Sequence, residues 1–202
     1  VILGTVLLAS LTLGPVDCAA VPASDSLKAT WQAGVSFGEF LAAAVERREQ
    51  WIANYSTGAA VDATMVSRAA AVEGAWRLLV VAIDSCSDSV STVPWIARLV
   101  DQLSNVEMRI VNPETGRWIM EANRTPDGRA ATPTILLVDD DWHVRGCFIE
   151  RPLALRAFLD TLPDNGRSAR RMEWYRQDAG RETVREIVEM MEAATRGEMV
   201  CK

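Results

Sequence analysis

The residues with the widest chemical reach in this chain are its four cysteines, Cys18, Cys86, Cys147 and Cys201. No two are spaced as CxxC and none match a zinc module, so the chemistry on offer is that of single thiols. Cys86 is the candidate nucleophile. It stands in the polar cluster DSCSDS (84–89), directly after the apolar run RLLVVAI (77–83). A thiol where a strand turns into a helix faces unsatisfied N–H groups and the positive end of the helix dipole, which stabilise the thiolate that attacks disulfides. Asp88 brings a negative charge close to that thiol and is expected to offset part of the effect. Position 89, where the second cysteine of a CxxC would fall, is Ser89, so no resolving thiol stands beside Cys86. Dithiol reduction within this turn is therefore excluded.

The elements that must position Cys86 follow from hydrophobic period. Residues 77–83 form a continuous apolar run of strand length, which suits a buried parallel strand. The apolar positions of 90–103 then recur at helical spacing, with Ser87 or Asp88 as the expected amino-terminal cap. Residues 106–111 alternate as a second strand, and 113–122 suit a short helix opened by proline. Residues 134–138 and 143–149 read as an antiparallel hairpin, and 152–162 as a helix. A loop over 163–170 and an amphipathic helix over 182–195 complete the chain. Ahead of this order, 27–53 reads as one amphipathic helix and 62–74 as a second, shorter one.

The chain has 202 residues, 49% hydrophobic and 24% charged, which suits one main soluble domain with helical additions. Lys and Arg number 21 against 27 Asp and Glu, a net charge of −6 with no basic stripe, so nucleic acid is not an expected partner. The only histidine is His143, which excludes a multi-imidazole metal centre within one chain. No metal and no cofactor are expected. His143 is assigned to an exposed hairpin, and Asp139, Asp140 and Asp141 to a solvated turn. The seven tryptophans are spread through the chain and read as packing residues.

Residues 1–23 are expected to be a signal peptide, with its charged leader outside the given sequence. The apolar stretch VILGTVLLASLTLGPV is shorter than the roughly 20 residues that span a bilayer, and small residues at Ala20 and Ala23 suit cleavage. Asp17 before Cys18 argues against lipidation there. The expected location is exported, periplasmic or extracellular. The mature chain would keep three cysteines in an oxidising compartment, leaving at least one unpaired or reserved.

A βαβ unit followed by a ββα unit, with a cysteine at the first strand-to-helix turn and a proline before the third strand, resembles the thioredoxin-fold plan. The chain resembles a bacterial thioredoxin-like family, related to thioredoxins, whose members carry W-C-x-D near the first turn, a G-R-x-x-P loop and a strand ending in R-P. Here those marks stand as Ser85-Cys86-Ser87-Asp88, as Gly128-Arg129-Ala130-Ala131-Thr132-Pro133, and as Arg151-Pro152. Trp174-Tyr175 and Gly180-Arg181 before a helix are also similar to that family. The resemblance covers about 76–194. Ser85 departs from the family's tryptophan. The resemblance implies an α/β thioredoxin fold with its core over 76–162; apolar spacing adds a helical extension over 24–75 and a loop and carboxyl-terminal helix over 163–202. It also implies a cis proline at Pro133 and a substrate-docking edge made by Thr132 and Pro133, beside the active turn Ser85, Cys86, Ser87, Asp88 and Ser89.

Two functions of different class stand open. In the first, the Cys86 thiolate exchanges with protein disulfides or a low-molecular-weight thiol, and an external thiol frees it, making the chain a monothiol oxidoreductase. In the second, the chain is a redox-inactive module that binds a protein partner, a reading favoured by Ser85 and Ser89. A third and weaker reading, peroxide sensing through a Cys86 sulfenic acid, lacks an acceptor thiol in the sequence. The plain alternatives are a packing role for Cys86 and Cys147 and a frayed terminal thiol at Cys201.

Overall fold

The computed structural model describes residues 24–56 and 61–202; the expected signal peptide lies outside the described residues. β1 (Trp76–Val81), β2 (Val106–Val111), β3 (Thr134–Val138), β4 (Val144–Ile149) and β5 (Val200–Cys201) make one sheet in the order β2-β1-β3-β4-β5. β1 runs parallel to β2 and antiparallel to β3, β3 and β4 form the expected hairpin, and β5 joins β4 in parallel.

The unbroken apolar run of β1 has a direct cause: helices cover both faces of the sheet. Leu78 and Val80 point to one face and pack with α5 (Ser87–Val100) and α9 (Arg181–Thr195) through Val93, Ile96, Ile187 and Met191. Leu79 and Val81 point to the other, against Leu27 and Trp31 of α1 (Ser24–Ala33) and Ile119 of α6 (Arg117–Ala122). All four of these β1 side chains are fully buried.

The region read as one helix over 27–53 is three: α1, α2 (Phe37–Ala43) and α3 (Arg48–Ser56). Apolar spacing persists across the breaks, but local chemistry ends each helix. Val35 leaves the helix to exchange backbone hydrogen bonds with Ile110 of β2, at 2.9 and 2.8 Å. Gly34 permits that approach, because a Cβ there would meet Arg109 Cβ at 2.9 Å. Ser36 and Glu39 then form a reciprocal capping box that starts α2. The second break is sealed by Arg48, whose Nη1 donates to the carbonyls of Leu41, Ala42 and Ala44. Helix α4 (Ala63–Ala70) follows, within the span expected for it.

Pro94 lies inside α5 and cannot donate to the Val90 carbonyl one turn back. Asn54 of α3 supplies the missing donor, its Nδ2 reaching Val90 O at 2.7 Å.

Beyond α7 (Leu153–Asp160), the loop expected over 163–170 ends at 166, and 167–170 already form the first turn of α8 (Arg167–Asp178). Its sequence RSARRMEWYRQD carries no apolar period, and only Tyr175 and Asp178 are buried, so hydrophobic spacing could not reveal it. Ala179 and Gly180 take left-handed conformations between α8 and α9, and Gly180 lies so close to the Trp95 ring that a side chain there has no room. The chain end is not frayed. Lys202 N donates to Cys147 O, Ile149 N to Lys202 O, both at 2.8 Å, and a Cys147–Cys201 disulfide closes a sequence separation of 54. Among the described residues no helix is long and apolar enough to cross a membrane.

Candidate active site

Cys86 itself, not Ser87 or Asp88, is the N-cap of α5. Its backbone is extended, its carbonyl accepts the Val90 N–H at 3.0 Å, and its Sγ accepts the Ser89 N–H at 3.4 Å. The sulfur thus occupies the place that an oxygen of Ser, Asp or Asn fills in most helices, aimed at the orphan amides of the first turn. On its other side Sγ donates to Thr132 O at 3.2 Å. Cys86 is half-buried, and among the described residues it is the free cysteine, Cys147 and Cys201 being paired.

The Thr132–Pro133 peptide is cis. Pro133 O accepts Glu150 N–H at 2.7 Å and Thr134 Oγ1 donates to Ala131 O at 2.7 Å, so both flanks of the cis bond are held to the β3–β4 hairpin. The sheet brings the ends of β1 and β3 side by side, which is why residues 46 positions apart in sequence meet at the sulfur.

The amino-terminal helices grip the same turn. Asp84 accepts the N–H groups of Val45 and Glu46 at 2.8 and 2.9 Å, Trp51 Nε1 donates to Asp84 O at 3.0 Å, and Arg47 Nε donates to Ser85 O at 2.7 Å. Burial acts to raise the Asp84 carboxyl, but these amide donors outweigh it and hold the group below its ordinary range. Ser85 therefore contributes its carbonyl to a structural clamp.

Asp88 does not cap the helix, and its carboxylate is engaged by a cluster of donors. It is buried at 4% exposure, where Tyr175 donates its phenol to Oδ1 at 2.8 Å and Arg151 and Arg171 reach Oδ2 at 3.3 and 3.2 Å. Burial pushes the carboxyl up, and the two guanidinium groups draw it back only in part. The charge expected to oppose the thiol is thus matched by two cations. Tyr175 is raised well above its ordinary range by burial and by Asp88. Ser87 Oγ accepts from Arg171 Nη2 at 3.0 Å. Ser89, where a resolving thiol would stand, is fully buried and its hydroxyl has no partner among the described residues.

Sequence reasoning gave no role to Tyr175, Arg171, Trp51 or Asp84. The pair Trp174-Tyr175 and the Arg151-Pro152 step were signals only through family resemblance. His143 is exposed on the hairpin, but Asp139 is not a solvated turn residue: Arg145 Nε binds its carboxylate at 2.6 Å and His143 N–H at 2.8 Å. Buried at 8% exposure, Asp139 is lowered by these partners against the opposing effect of burial. Among the described residues no group of three or more His, Cys, Asp or Glu side chains is arranged to hold a metal ion.

A family model described as thioredoxin matches residues 34–164. In overall structure the chain is similar to a protein of unknown function from Pseudomonas aeruginosa, at 21% identity and a TM-score of 0.64, covering 82% of this chain and 96% of that one. It is similar as well to an HIV epitope scaffold, at 18% identity and a TM-score of 0.63, covering 82% of this chain and 97% of that one. No curated protein matches.

Proposed function

We propose, for a chain that belongs to the thioredoxin family, that its function is monothiol thiol–disulfide exchange through Cys86. The observation that carries this reading is the seating of one free thiol at the α5 N-terminus, 3.2 Å from the carbonyl that precedes a cis proline. In the proposed step the Cys86 thiolate attacks one sulfur of a substrate disulfide. The S–S bond breaks, that sulfur becomes bonded to Cys86, and the other leaves as a thiolate with the electron pair. A second, external thiolate then attacks the mixed disulfide and releases Cys86. Ser89 supports the need for that external thiol, and Thr132 with Pro133 is the proposed docking edge. Substrates in this reading are protein disulfides or a low-molecular-weight thiol. The Cys147–Cys201 disulfide supports an oxidising setting, in keeping with export directed by residues 1–23.

Trapping of mixed disulfides on the full chain tests this. Cys86→Ser is expected to abolish trapping, whereas the double variant Cys147→Ala/Cys201→Ala is expected to keep it. Trapping that survives Cys86→Ser contradicts the proposal. The second reading, a binding module without redox activity, draws on the buried Ser89 in place of a second thiol. A stable co-purifying protein together with an inert Cys86 would select it.

A further inference from the structure

One cavity of about 360 Å³ opens between the 125–129 loop, the turn after β4, and helices α7 and α8, a volume at the lower end of small-molecule sites. Its walls hold five arginines, Arg129, Arg151, Arg156, Arg167 and Arg171, against three carboxylates, Asp127, Glu150 and Asp160. Two of these arginines lead directly to the cysteine turn: Arg171 reaches Ser87 Oγ at 3.0 Å, and Arg151 reaches Asp88 at 3.3 Å.

The arginines are unequally matched. Arg129 is paired with Asp127 and Glu150, Arg167 with Asp164, and Arg151 with Glu150 and Asp88. Arg156 has no such match. Its Nε and Nη2 are buried without a hydrogen-bond partner among the described residues, and Arg151 Nε and Arg171 Nε are in the same condition. Glu186, Glu150 and Asp160 act on Arg156 only through longer-range charge, and burial pushes its guanidinium below its ordinary range. Arg156 is half-buried, and buried N–H donors left unmet on a cation are costly unless an anion completes them. Guanidinium forks match carboxylates in pairs.

Resting on the Cys86 exchange reading, we infer that this cavity binds the carboxylates of a low-molecular-weight thiol or disulfide and presents its sulfur to Cys86. In that reaction the Cys86 thiolate attacks the small disulfide, one half stays bonded to Cys86, and the other departs as a thiolate. A second molecule of the small thiol, deprotonated, removes the first half and re-forms the small disulfide.

The test compares Cys86 mixed-disulfide formation on the full chain with oxidised glutathione, which is anionic, and with bis(2-hydroxyethyl) disulfide, which is neutral. Arg156→Gln is expected to slow the anionic probe about tenfold and leave the neutral one unchanged. Rising ionic strength is expected to erode the same preference in the unaltered chain, a readout that needs no variant to fold. Equal rates for the two probes at low salt, or equal slowing of both by Arg156→Gln, would overturn the inference. Calorimetric titration with S-methylglutathione, which carries the carboxylates but no reactive sulfur, separates this claim from Cys86 reactivity. Saturable binding weakened by Arg156→Gln supports the cavity even if Cys86 reacts with neither disulfide. Absence of binding, or binding of inorganic phosphate alone, contradicts it.

Discussion

Tyr175 donates its phenol to Asp88 at 2.8 Å across 87 residues of sequence, binding helix α8 to the first turn of the helix that Cys86 caps. The bond lies in the interior, with Tyr175 at 5% exposure and Asp88 at 4%. Tyr175→Phe removes one donor and leaves a buried carboxylate oxygen unmatched, which costs about 1–3 kcal/mol. A melting temperature lower by several degrees is expected, at roughly 2–4 °C per kcal/mol for a chain of this size. An unchanged melting temperature would contradict the role given to this bond.

Asn54 and Pro94 act as a pair through Val90 O. Asn54→Ala strands that carbonyl under the proline and is expected to destabilise the fold by about 1–3 kcal/mol. Pro94→Ala restores a helical N–H to the same carbonyl. In its presence the cost of Asn54→Ala is expected to shrink, which a double-mutant cycle on denaturant midpoints would measure. Additive effects would mean that the two residues are independent.

Much of the sheet was legible from sequence, because β1 to β4 each carry their own signal: an apolar run, an alternation, or a hairpin turn. β2 and β3 occupy the spans expected for them, and Cys86 falls at the β1–α5 turn because RLLVVAI ends in DSCSDS. Beside the cysteine, Thr132 and the cis Pro133 were legible through the family resemblance, but the Asp88 side was not. Asp88 reads locally as a cap, and only its contacts with Arg151, Arg171 and Tyr175, all distant in sequence, turn it inward. α8 is polar nearly all round, and β5 is two residues long, so neither leaves a period to detect. The three-helix amino-terminal region did carry a signal, the Ser36-x-x-Glu39 box, beneath an apolar spacing that runs through it.

Glu186 gives a pH prediction. It is 1% exposed; its Oε1 accepts the Leu153 N–H at the start of α7 at 2.7 Å, and Oε2 has no partner among the described residues. Burial pushes its carboxyl up, against the weaker pull of the Leu153 amide and of Lys202, Arg185 and Arg156. The folded chain therefore holds this proton more tightly than the unfolded one. Its contribution is complete below the unfolded value of about 4.3, and is lost as pH rises through the folded value. Glu186→Gln keeps the Oε1 acceptor and removes the charge. The variant is expected to gain stability relative to the unaltered chain as pH climbs above about 4.3, and the gain levels off once pH has passed the folded value. A stability difference that does not vary with pH would contradict the assignment.

The Cys147–Cys201 bond ties β5 and the chain end to β4 over a separation of 54 residues. Its removal in Cys147→Ala/Cys201→Ala is expected to cost about 2–4 kcal/mol. Denaturant unfolding measures that loss, and an unchanged midpoint would show that the chain end holds without the bond.

Whether Cys86 is an exchange nucleophile can be read from the intact mass of the full chain after incubation with oxidised glutathione. One added glutathionyl group per chain is expected, mapped to Cys86, removed by excess reduced glutathione and absent from Cys86→Ser. A Cys86 that stays unmodified in the folded chain, while the same sulfur reacts once the chain is unfolded, would contradict it.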